Sequence, residues 1–244
     1  MQNIDTDVLI IGGGLTGLTI AYLLQNENIE VKIVEARNRL GGRINTIYGD
    51  TLPPLEMGAT WLGKKHTALL DLMETLGIRI FNQVLGERAI FESISTSPPQ
   101  VVQLPPNTDP SFRIQGGTMS IIKTLAAQLK ADQIYKAQPI QSIEKKDGEL
   151  WVQSTEIQFR AKIVISTLPP NLLAKTVRFT PTLPTDLINT MTNTHTWMGE
   201  SIKIGLTYQK PFWQANHSSG TITCLLYTSP SPRDRTRSRM PSSA

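Results

Sequence analysis

The chain has 244 residues, of which 39% are hydrophobic and 18% are charged. This length allows a real core in one or two domains, and the composition is that of a soluble globular protein. No run approaches the roughly 18 consecutive apolar residues of a membrane span. The acidic start, MQNIDTD, does not have the basic and apolar regions of a signal peptide. We therefore expect a cytoplasmic protein without a membrane segment.

The formal net charge of +4 depends on the last 21 residues. These residues, 224–244, read CLLYTSPSPRDRTRSRMPSSA and resemble a translated sequencing adapter, so we interpret them as an artefactual tail or, failing that, a disordered one. Removing their four arginines and one acid takes the net charge from +4 to +1, and no nucleic-acid partner is expected. Because the only cysteine, Cys224, lies there, we predict no disulfide and no metal site. The remaining sequence is expected to be the N-terminal part of a longer protein.

The first motif in chain order is a strand, a glycine turn, a helix and a second strand. Residues 8–11 form a continuous apolar run, typical of a strand buried on both faces. Leucines then recur at helical spacing from Leu15 to Leu24, and the run VKIV at 31–34 predicts the next strand. These elements form one βαβ unit.

The glycines of this unit have the G-x-G-x-x-G spacing of a dinucleotide site. Gly12 permits the tight turn, Gly14 lets the backbone approach a pyrophosphate, and Gly17 lets the helix pack against the strand. The N-terminus of the helix offers free N–H groups to the phosphates. Glu35 ends the second strand near the position expected for the acid that binds the ribose. The alternative is a glycine turn without a ligand.

A second glycine turn follows Glu35 at once. Gly41 and Gly42 lie among three arginines, Arg37, Arg39 and Arg43. A turn of this kind would close on the same pyrophosphate from the other side. NAD must leave in each cycle, whereas FAD stays, so the second turn favours FAD.

The stretch VLIIGGGLTGL…VEARNRLGGR resembles the flavin-containing amine oxidases of the monoamine oxidase type. Protoporphyrinogen oxidases and phytoene desaturases share a looser form of it. Further similar stretches are EMGATWL at 56–62, QGGTMSIIKTLA at 115–126, QPIQSIEKKDGELWVQS…AKIVISTLPP at 138–170 and IKIGLTYQKPFW at 202–213.

The resemblance implies an α/β fold: a GxGxxG FAD-binding domain, Rossmann-like and of the glutathione-reductase type, with an inserted mixed-sheet substrate domain and a truncated C-terminus. We assign 1–79 and 118–188 to the FAD-binding domain, and 80–117 with 189–223 to the partial substrate domain. The segment 138–170 is expected to form a β-meander and a strand that returns to the main sheet. Residues 66–77 predict a helix, and 95–110 a proline-rich loop.

The resemblance also implies roles for particular residues. One group would bind the nucleotide part of FAD: Gly12, Gly14, Thr16, Gly17, Glu35, Ala36, Arg37, Gly42, Arg43 and Ile140. A second group would lie along the isoalloxazine ring: Gly58, Ala59 and Thr60. Lys203 would be the catalytic lysine that hydrogen-bonds through a water to flavin N5.

Apart from the resemblance, the evidence for Lys203 is the alternating run SIKIGLTY. This run predicts a strand with Ile202, Ile204 and Leu206 on one face and Lys203 on the other. The alternative is an ordinary solvated lysine on that strand. Trp61 could touch the ring, although a packing role is an equal alternative.

The expected activity is an FAD-dependent oxidation of an amine C–N bond, with O2 as acceptor and an imine and H2O2 as products. The alternatives are a desaturase or protoporphyrinogen-oxidase-like enzyme acting on C–C bonds, or an inactive truncated fragment. The segment between Leu62 and Gly116 is much shorter than in monoamine oxidases, which predicts a reduced lid and leaves the particular amine open. Covalent attachment of FAD and the oligomeric state are likewise open.

Overall fold

The structure is a computed structural model that describes residues 2–50, 53–83, 86–92, 98–105, 109–196, 199 and 201–224. Except for Cys224, the predicted artefactual tail lies outside the described residues. The strands, in chain order, are β1 Gln2–Ile11, β2 Val31–Val34, β3 Thr46–Ile47, β4 Leu55–Glu56, β5 Leu62–Gly63, β6 Ile80–Asn82, β7 Arg88–Glu92, β8 Gln100–Gln103, β9 Ser111–Ile114, β10 Ile134–Tyr135, β11 Ser142–Lys146, β12 Glu149–Gln153, β13 Ile157–Ser166, β14 Arg178–Thr180 and β15 Ser218–Cys224. The helices are α1 Leu15–Leu24, α2 Thr67–Thr75, α3 Met119–Ala127, α4 Pro170–Thr176 and α5 Thr185–Asn193, with 3₁₀ turns at Ala131–Gln133 and Phe212–His217.

The described residues divide into two compact units. The first comprises the described residues of 1–81 and 113–205, and the second those of 82–112 and 206–224. The chain passes from one unit to the other within β6 and returns within β9. The predicted assignment of FAD-binding and substrate domains stays a prediction, because compactness alone does not identify what a unit binds.

A mixed seven-stranded sheet organises the first unit, in the order β10-β2-β1-β13-β12-β11-β14. β1 lies between two parallel neighbours, β2 and β13. Leu9, Ile10 and Ile33 are fully buried in these central strands, as a continuous apolar run requires when both faces are covered. The predicted central strand, first helix and second strand are confirmed.

The predicted meander is also confirmed. β11 and β12 pair antiparallel, and β13 then returns alongside β1 in parallel. Buried side chains of these strands, among them Phe159 and Val152, form one hydrophobic cluster with Leu9 of β1. Burial of this kind contributes about 1.5–3 kcal/mol per large side chain.

The second unit contains a sheet that the sequence only partly predicted. β7 pairs antiparallel with β8 and parallel with β15. β8 lies inside the segment 95–110, so the prediction of a loop throughout that segment was wrong. The reason is positional: Pro98, Pro99 and Pro105 flank the strand, where they remove no hydrogen bond from its ladder.

The predicted strand SIKIGLTY is not a strand in the structure. Residues 201–208 join none of the sheets formed by the described residues. Ile202 and Ile204 are 89% and 78% exposed, so the apolar face that the alternation predicts is not buried. Alternation specifies a strand only where a neighbouring strand supplies the hydrogen bonds.

Candidate functional site

The candidate site lies at the carboxyl edge of the central parallel strands. β1 ends at Ile11, β2 at Val34 and β13 at Ser166, and the turns that follow them are neighbours. Ligands of open α/β sheets bind in the crevice outside this edge. The sheet therefore brings together segments that are far apart in the sequence.

The first glycine turn is tightly packed. Gly12 has φ +111°, a left-handed conformation that favours glycine. A Cβ built on Gly17 would lie 2.0 Å from the Gly12 carbonyl oxygen, so α1 can approach the turn only without a side chain there. Thr167, after β13, donates its hydroxyl to the Ile11 carbonyl oxygen at 2.9 Å and to that of Gly12 at 3.3 Å.

The second glycine turn lies directly against the first. The Gly41 amide donates to the Gly13 carbonyl oxygen at 2.8 Å. A Cβ built on Gly42 would lie 3.4 Å from the Gly14 Cα. The structure thus brings together the two turns, whose contacting glycines Gly13 and Gly41 are 28 residues apart (41 − 13). Thr16, which follows the first turn in α1, is exposed.

Glu35 joins the two turns through a buried carboxylate. Its Oε2 accepts the Gly13 amide at 2.8 Å, and its Oε1 accepts the Arg37 amide at 2.9 Å. The residue is only 7% exposed. Each carboxylate oxygen has room for more than one donor, so two acceptor positions remain for a ligand hydroxyl.

A cavity of about 200 Å³ opens beside this carboxylate. Its walls include the predicted residues Gly12, Glu35, Ala36 and Ile140. The sequence reasoning did not assign the other wall residues to the site: Ile11, Val34, Gln138, Pro139, Leu168, Leu172 and Thr176. Leu172 and Thr176 belong to α4, a helix for which no prediction was made. Thr167 was also missed, although a polar residue directly after a strand paired with β1 is a usable signal.

The three arginines differ in what they contact. Arg39 donates to three carbonyl oxygens around the second turn, those of Leu40 at 3.2 Å, Gly42 at 3.1 Å and Ile44 at 3.2 Å. Arg37 donates to the Gly42 carbonyl oxygen at 3.3 Å, and Arg43 is exposed. Arg39, which no prediction assigned to the cofactor, therefore orients the turn by drawing its carbonyl groups to one side.

The segment that carries Gly58, Ala59 and Thr60 continues the β3–β4 hairpin. The Met57 amide donates to the Asn45 carbonyl oxygen at 2.8 Å, and the Ala59 amide to that of Arg43 at 3.1 Å. A Cβ on Gly58 would lie 2.1 Å from the Arg43 carbonyl oxygen. The segment is therefore held by backbone contacts against the residues that follow the second glycine turn.

Lys203, which is distant in the sequence, contacts this segment with its side chain. Its Nζ donates to the Gly58 carbonyl oxygen at 2.9 Å and to the Thr60 hydroxyl oxygen at 2.6 Å, across 145 and 143 residues of sequence. Loss of hydration at the ammonium group lowers the pKa of Lys203, and Arg113 lowers it further, whereas the Glu56 carboxylate opposes the shift. Trp61, next along the segment, is 70% exposed, so the predicted core-packing alternative for it was wrong.

The described residues contain no cluster of histidine, cysteine, aspartate or glutamate able to hold a metal ion. Among the described helices, none has the length and apolar character needed to cross a membrane.

The sheet, the paired glycine turns and the buried acid define a dinucleotide-binding α/β protein. The family profile "Flavin containing amine oxidoreductase" matches residues 15–91 and 80–243. The chain belongs to this flavin-containing amine oxidoreductase family. The residues present fit FAD, because the glycines leave no side chain at the turn and Glu35 keeps acceptor positions free beside the cavity.

Individual relatives support this membership. Amine oxidase B of Canis lupus familiaris is 22% identical over 88% of this chain and 60% of its own length. Polyamine oxidase 5 of Oryza sativa is 35% identical over 39% of this chain and 22% of its own length. The chain thus spans about 60% of the dog enzyme and smaller parts of other curated relatives.

Two solved structures have a similar fold. A putrescine oxidase bound to putrescine has a TM-score of 0.75 and 18% identity, covering 91% of this chain and 70% of its own. The cyclohexylamine oxidase of Brevibacterium oxydans has a TM-score of 0.68 and 18% identity, covering 77% of this chain and 63% of its own.

Proposed function

We propose that the protein is an FAD-dependent oxidoreductase that oxidises a C–N bond of a small-molecule amine. O2 would be the electron acceptor, and the products would be an imine and H2O2. The observation that carries the proposal is Lys203, which is bonded to the Gly58–Thr60 segment at 2.9 and 2.6 Å. What FAD supplies when bound is two-electron redox chemistry between a C–H bond beside nitrogen and O2.

The nucleotide half of the cofactor would lie along the two glycine turns. Gly14 and Thr16 would face the pyrophosphate with backbone N–H groups at the start of α1, where an anion is favoured. Gly12 and Gly17 would line the turn without a side chain, since the Gly12 amide already donates to the Val34 carbonyl oxygen. Gly42 would approach from the other side. Arg37 and Arg43 would neutralise the phosphate charge.

Glu35 would bind the adenosine ribose. Its carboxylate is buried, and backbone amides on both oxygens keep its orientation constant. A ribose hydroxyl would take the remaining acceptor positions. Ala36 and Ile140 would border the adenine side of the cavity, with the backbone of Ile140 toward the base.

The ring half would lie along Gly58, Ala59 and Thr60. An ammonium group has three N–H donors, and two of those of Lys203 are used on Gly58 and Thr60. The third donor would hold a water near the reacting edge of the flavin. The lowered pKa of the Lys203 ammonium group would help this residue to gain or lose a proton during turnover.

Putrescine oxidase and cyclohexylamine oxidase act, by their names, on small amines, and both resemble this chain in fold. The proposed substrate class therefore agrees with the family. A cytoplasmic location and a monomeric or oligomeric state are separate proposals that amine turnover does not test.

The experiment is to purify the protein, record its flavin absorption and follow H2O2 release from a panel of primary and secondary amines under O2. We expect a yellow protein that releases H2O2 with at least one amine. A protein that binds FAD, releases no H2O2 with any amine and oxidises a porphyrinogen or carotenoid would support the C–C alternative. A colourless protein that does not take up added FAD would support the inactive-fragment alternative.

A further inference from the structure

Glu56 carries a buried carboxylate whose hydrogen bonds belong to none of the roles above. It ends β4 and pairs with Thr46 of β3. Its Oε2 accepts the Thr46 hydroxyl at 2.8 Å, and its Oε1 accepts the Thr118 amide at 2.6 Å. Glu56 is 6% exposed, and a buried carboxylate must be supplied with donors in this way.

These contacts anchor the N-terminus of α3. The Thr118 side chain makes no capping bond to the helix that follows it. The first amides are instead taken up by the hairpin: Thr118 donates to Glu56, and Met119 donates to the Thr46 hydroxyl oxygen at 3.0 Å. A negative charge at this end of a helix is favourable.

The same hairpin runs on into the segment proposed to face the flavin ring. Glu56 is followed by Met57 and Ala59, whose amides pair with the Asn45 and Arg43 carbonyl oxygens. Arg43 directly follows the second glycine turn. Glu56 therefore lies where the second glycine turn, the Gly58–Thr60 segment and α3 are joined.

A carboxylate suits this position better than an amide. The Thr46 hydroxyl accepts from Met119, so its own hydrogen must go to an acceptor, and Glu56 Oε2 is that acceptor. A glutamine would place an NH2 donor against either the Thr46 hydroxyl or the Thr118 amide. An aspartate is one methylene shorter, which withdraws its carboxylate from both groups.

We propose that Glu56 is a positioning residue that keeps the Gly58–Thr60 segment in register with the second glycine turn by anchoring the β3–β4 hairpin to α3. The proposal rests on the proposed function for the ring-facing role of that segment. Apart from its charge, which opposes the lowering of the Lys203 pKa, Glu56 acts through the backbone, and its hydrogen bonds reach neither the nucleotide cavity nor Lys203. Its effect is therefore confined to the ring half of the site.

The experiment compares Glu56→Gln with the unsubstituted protein, using FAD and ADP as probes. ADP reports the nucleotide half alone, whereas FAD also reports the ring. We expect ADP affinity to stay within about twofold and FAD affinity to fall about tenfold, with altered visible circular dichroism of the bound flavin. Glu144→Gln, an exposed glutamate on β11, is the matched control and should change neither affinity.

Hydrogen exchange provides a readout that needs no cofactor. In Glu56→Gln, the amides of Thr118, Met119 and Ala59 should exchange faster, while those of Gly12 and Leu18 stay as protected as before. Thr46→Val, which removes the hydroxyl but keeps the shape, should have the same effect to a smaller degree. This variant keeps the test available if Glu56→Gln does not fold.

Equal losses of ADP and FAD affinity in Glu56→Gln would overturn the proposal, because Glu56 would then support the whole fold. Unchanged exchange at Thr118 and Ala59 would overturn it as well. If the unsubstituted protein bound ADP but not FAD, the proposed function would fail, and the exchange measurements would still decide whether Glu56 anchors the hairpin.

Discussion

The two halves of the candidate site are built by different means. In the nucleotide half, two glycine turns and Glu35 lie at the end of a buried sheet, held by hydrogen bonds of 2.8–2.9 Å that backbone amides donate. In the ring half, an exposed lysine reaches across 145 residues to a hairpin extension. The first half is therefore preorganised by the core, whereas the second joins a hairpin extension, held by backbone bonds, to a lysine that reaches it only through its side chain.

This difference separates binding from catalysis. Substitutions in the nucleotide half should act on cofactor affinity and stability together. Substitutions at Lys203 should act on turnover while the cofactor stays bound. The following predictions test this separation, from the largest expected effect to the smallest.

Gly17→Ala should have the largest effect, because the added methyl would lie 2.0 Å from the Gly12 carbonyl oxygen and must displace α1 or the first turn. We expect a loss of about 3 kcal/mol in the free energy of unfolding and at least about a hundredfold in FAD affinity. Denaturant unfolding and flavin titration measure the two quantities. Gly63→Ala is the control, since nothing lies within 4 Å of a Cβ there, and it should be neutral.

Lys203→Met should lower turnover about a hundredfold, as loss of one well-placed donor does in other enzymes, while FAD affinity changes less than threefold. Steady-state kinetics with the best amine and flavin titration check the two parts. Lys145→Met, on exposed β11, serves as the control. A variant that lost FAD and activity together would contradict the proposed division between the two halves.

Arg39→Lys should lower FAD affinity about tenfold, since one ammonium cannot serve the Leu40, Gly42 and Ile44 carbonyl oxygens that the guanidinium serves. Because Arg39 acts through the turn, the salt dependence of FAD binding should not change even in Arg39→Gln, which removes the charge. Arg43→Gln provides the contrast: it should reduce the salt dependence, as expected for a cation that faces phosphate. A reduced salt dependence in Arg39→Gln would show that Arg39 meets the phosphate directly.

The pH dependence of kcat/KM should contain an alkaline limb below 10.5, the ordinary value for lysine, because desolvation lowers the pKa of Lys203. The effect of pH on stability is opposite to that of a lysine in an ion pair, whose raised pKa makes its contribution to stability fall as pH increases. The native state releases this proton first, so the contribution of Lys203 to stability rises as pH increases from its lowered pKa toward 10.5. Lys203→Arg should remove the limb, and a limb unchanged in Lys203→Arg would assign it to another group.

Ile202→Ser should have the smallest effect. Ile202 is 89% exposed, so its loss should change the free energy of unfolding by no more than about 0.5 kcal/mol. Ile10→Ser, at a fully buried position of β1, is the matched comparison and should cost several kcal/mol. A large effect of Ile202→Ser would mean that residues 201–208 are covered in solution.

Local sequence patterns predicted most of the nucleotide half of the candidate site. The buried strand, the glycine spacing, the acid at the end of β2 and the second glycine turn are local patterns, and local patterns follow from sterics and hydrogen bonding over short stretches. The structure confirms β1, α1 and β2 and brings the two turns together. The resemblance to flavin-containing amine oxidases was visible in the same residues and agrees with the family match.

The remaining features depend on contacts between segments that are distant in the sequence. The strand predicted at 201–208 is absent because strand formation depends on a neighbour that a local pattern does not reveal. Arg39, Gln138, Thr167 and Glu56 were not assigned to the site, since their roles arise from contacts made after folding. The sheet edge, where separate strands end side by side, brings the nucleotide-half residues into one site, and the β3–β4 hairpin adds the ring segment.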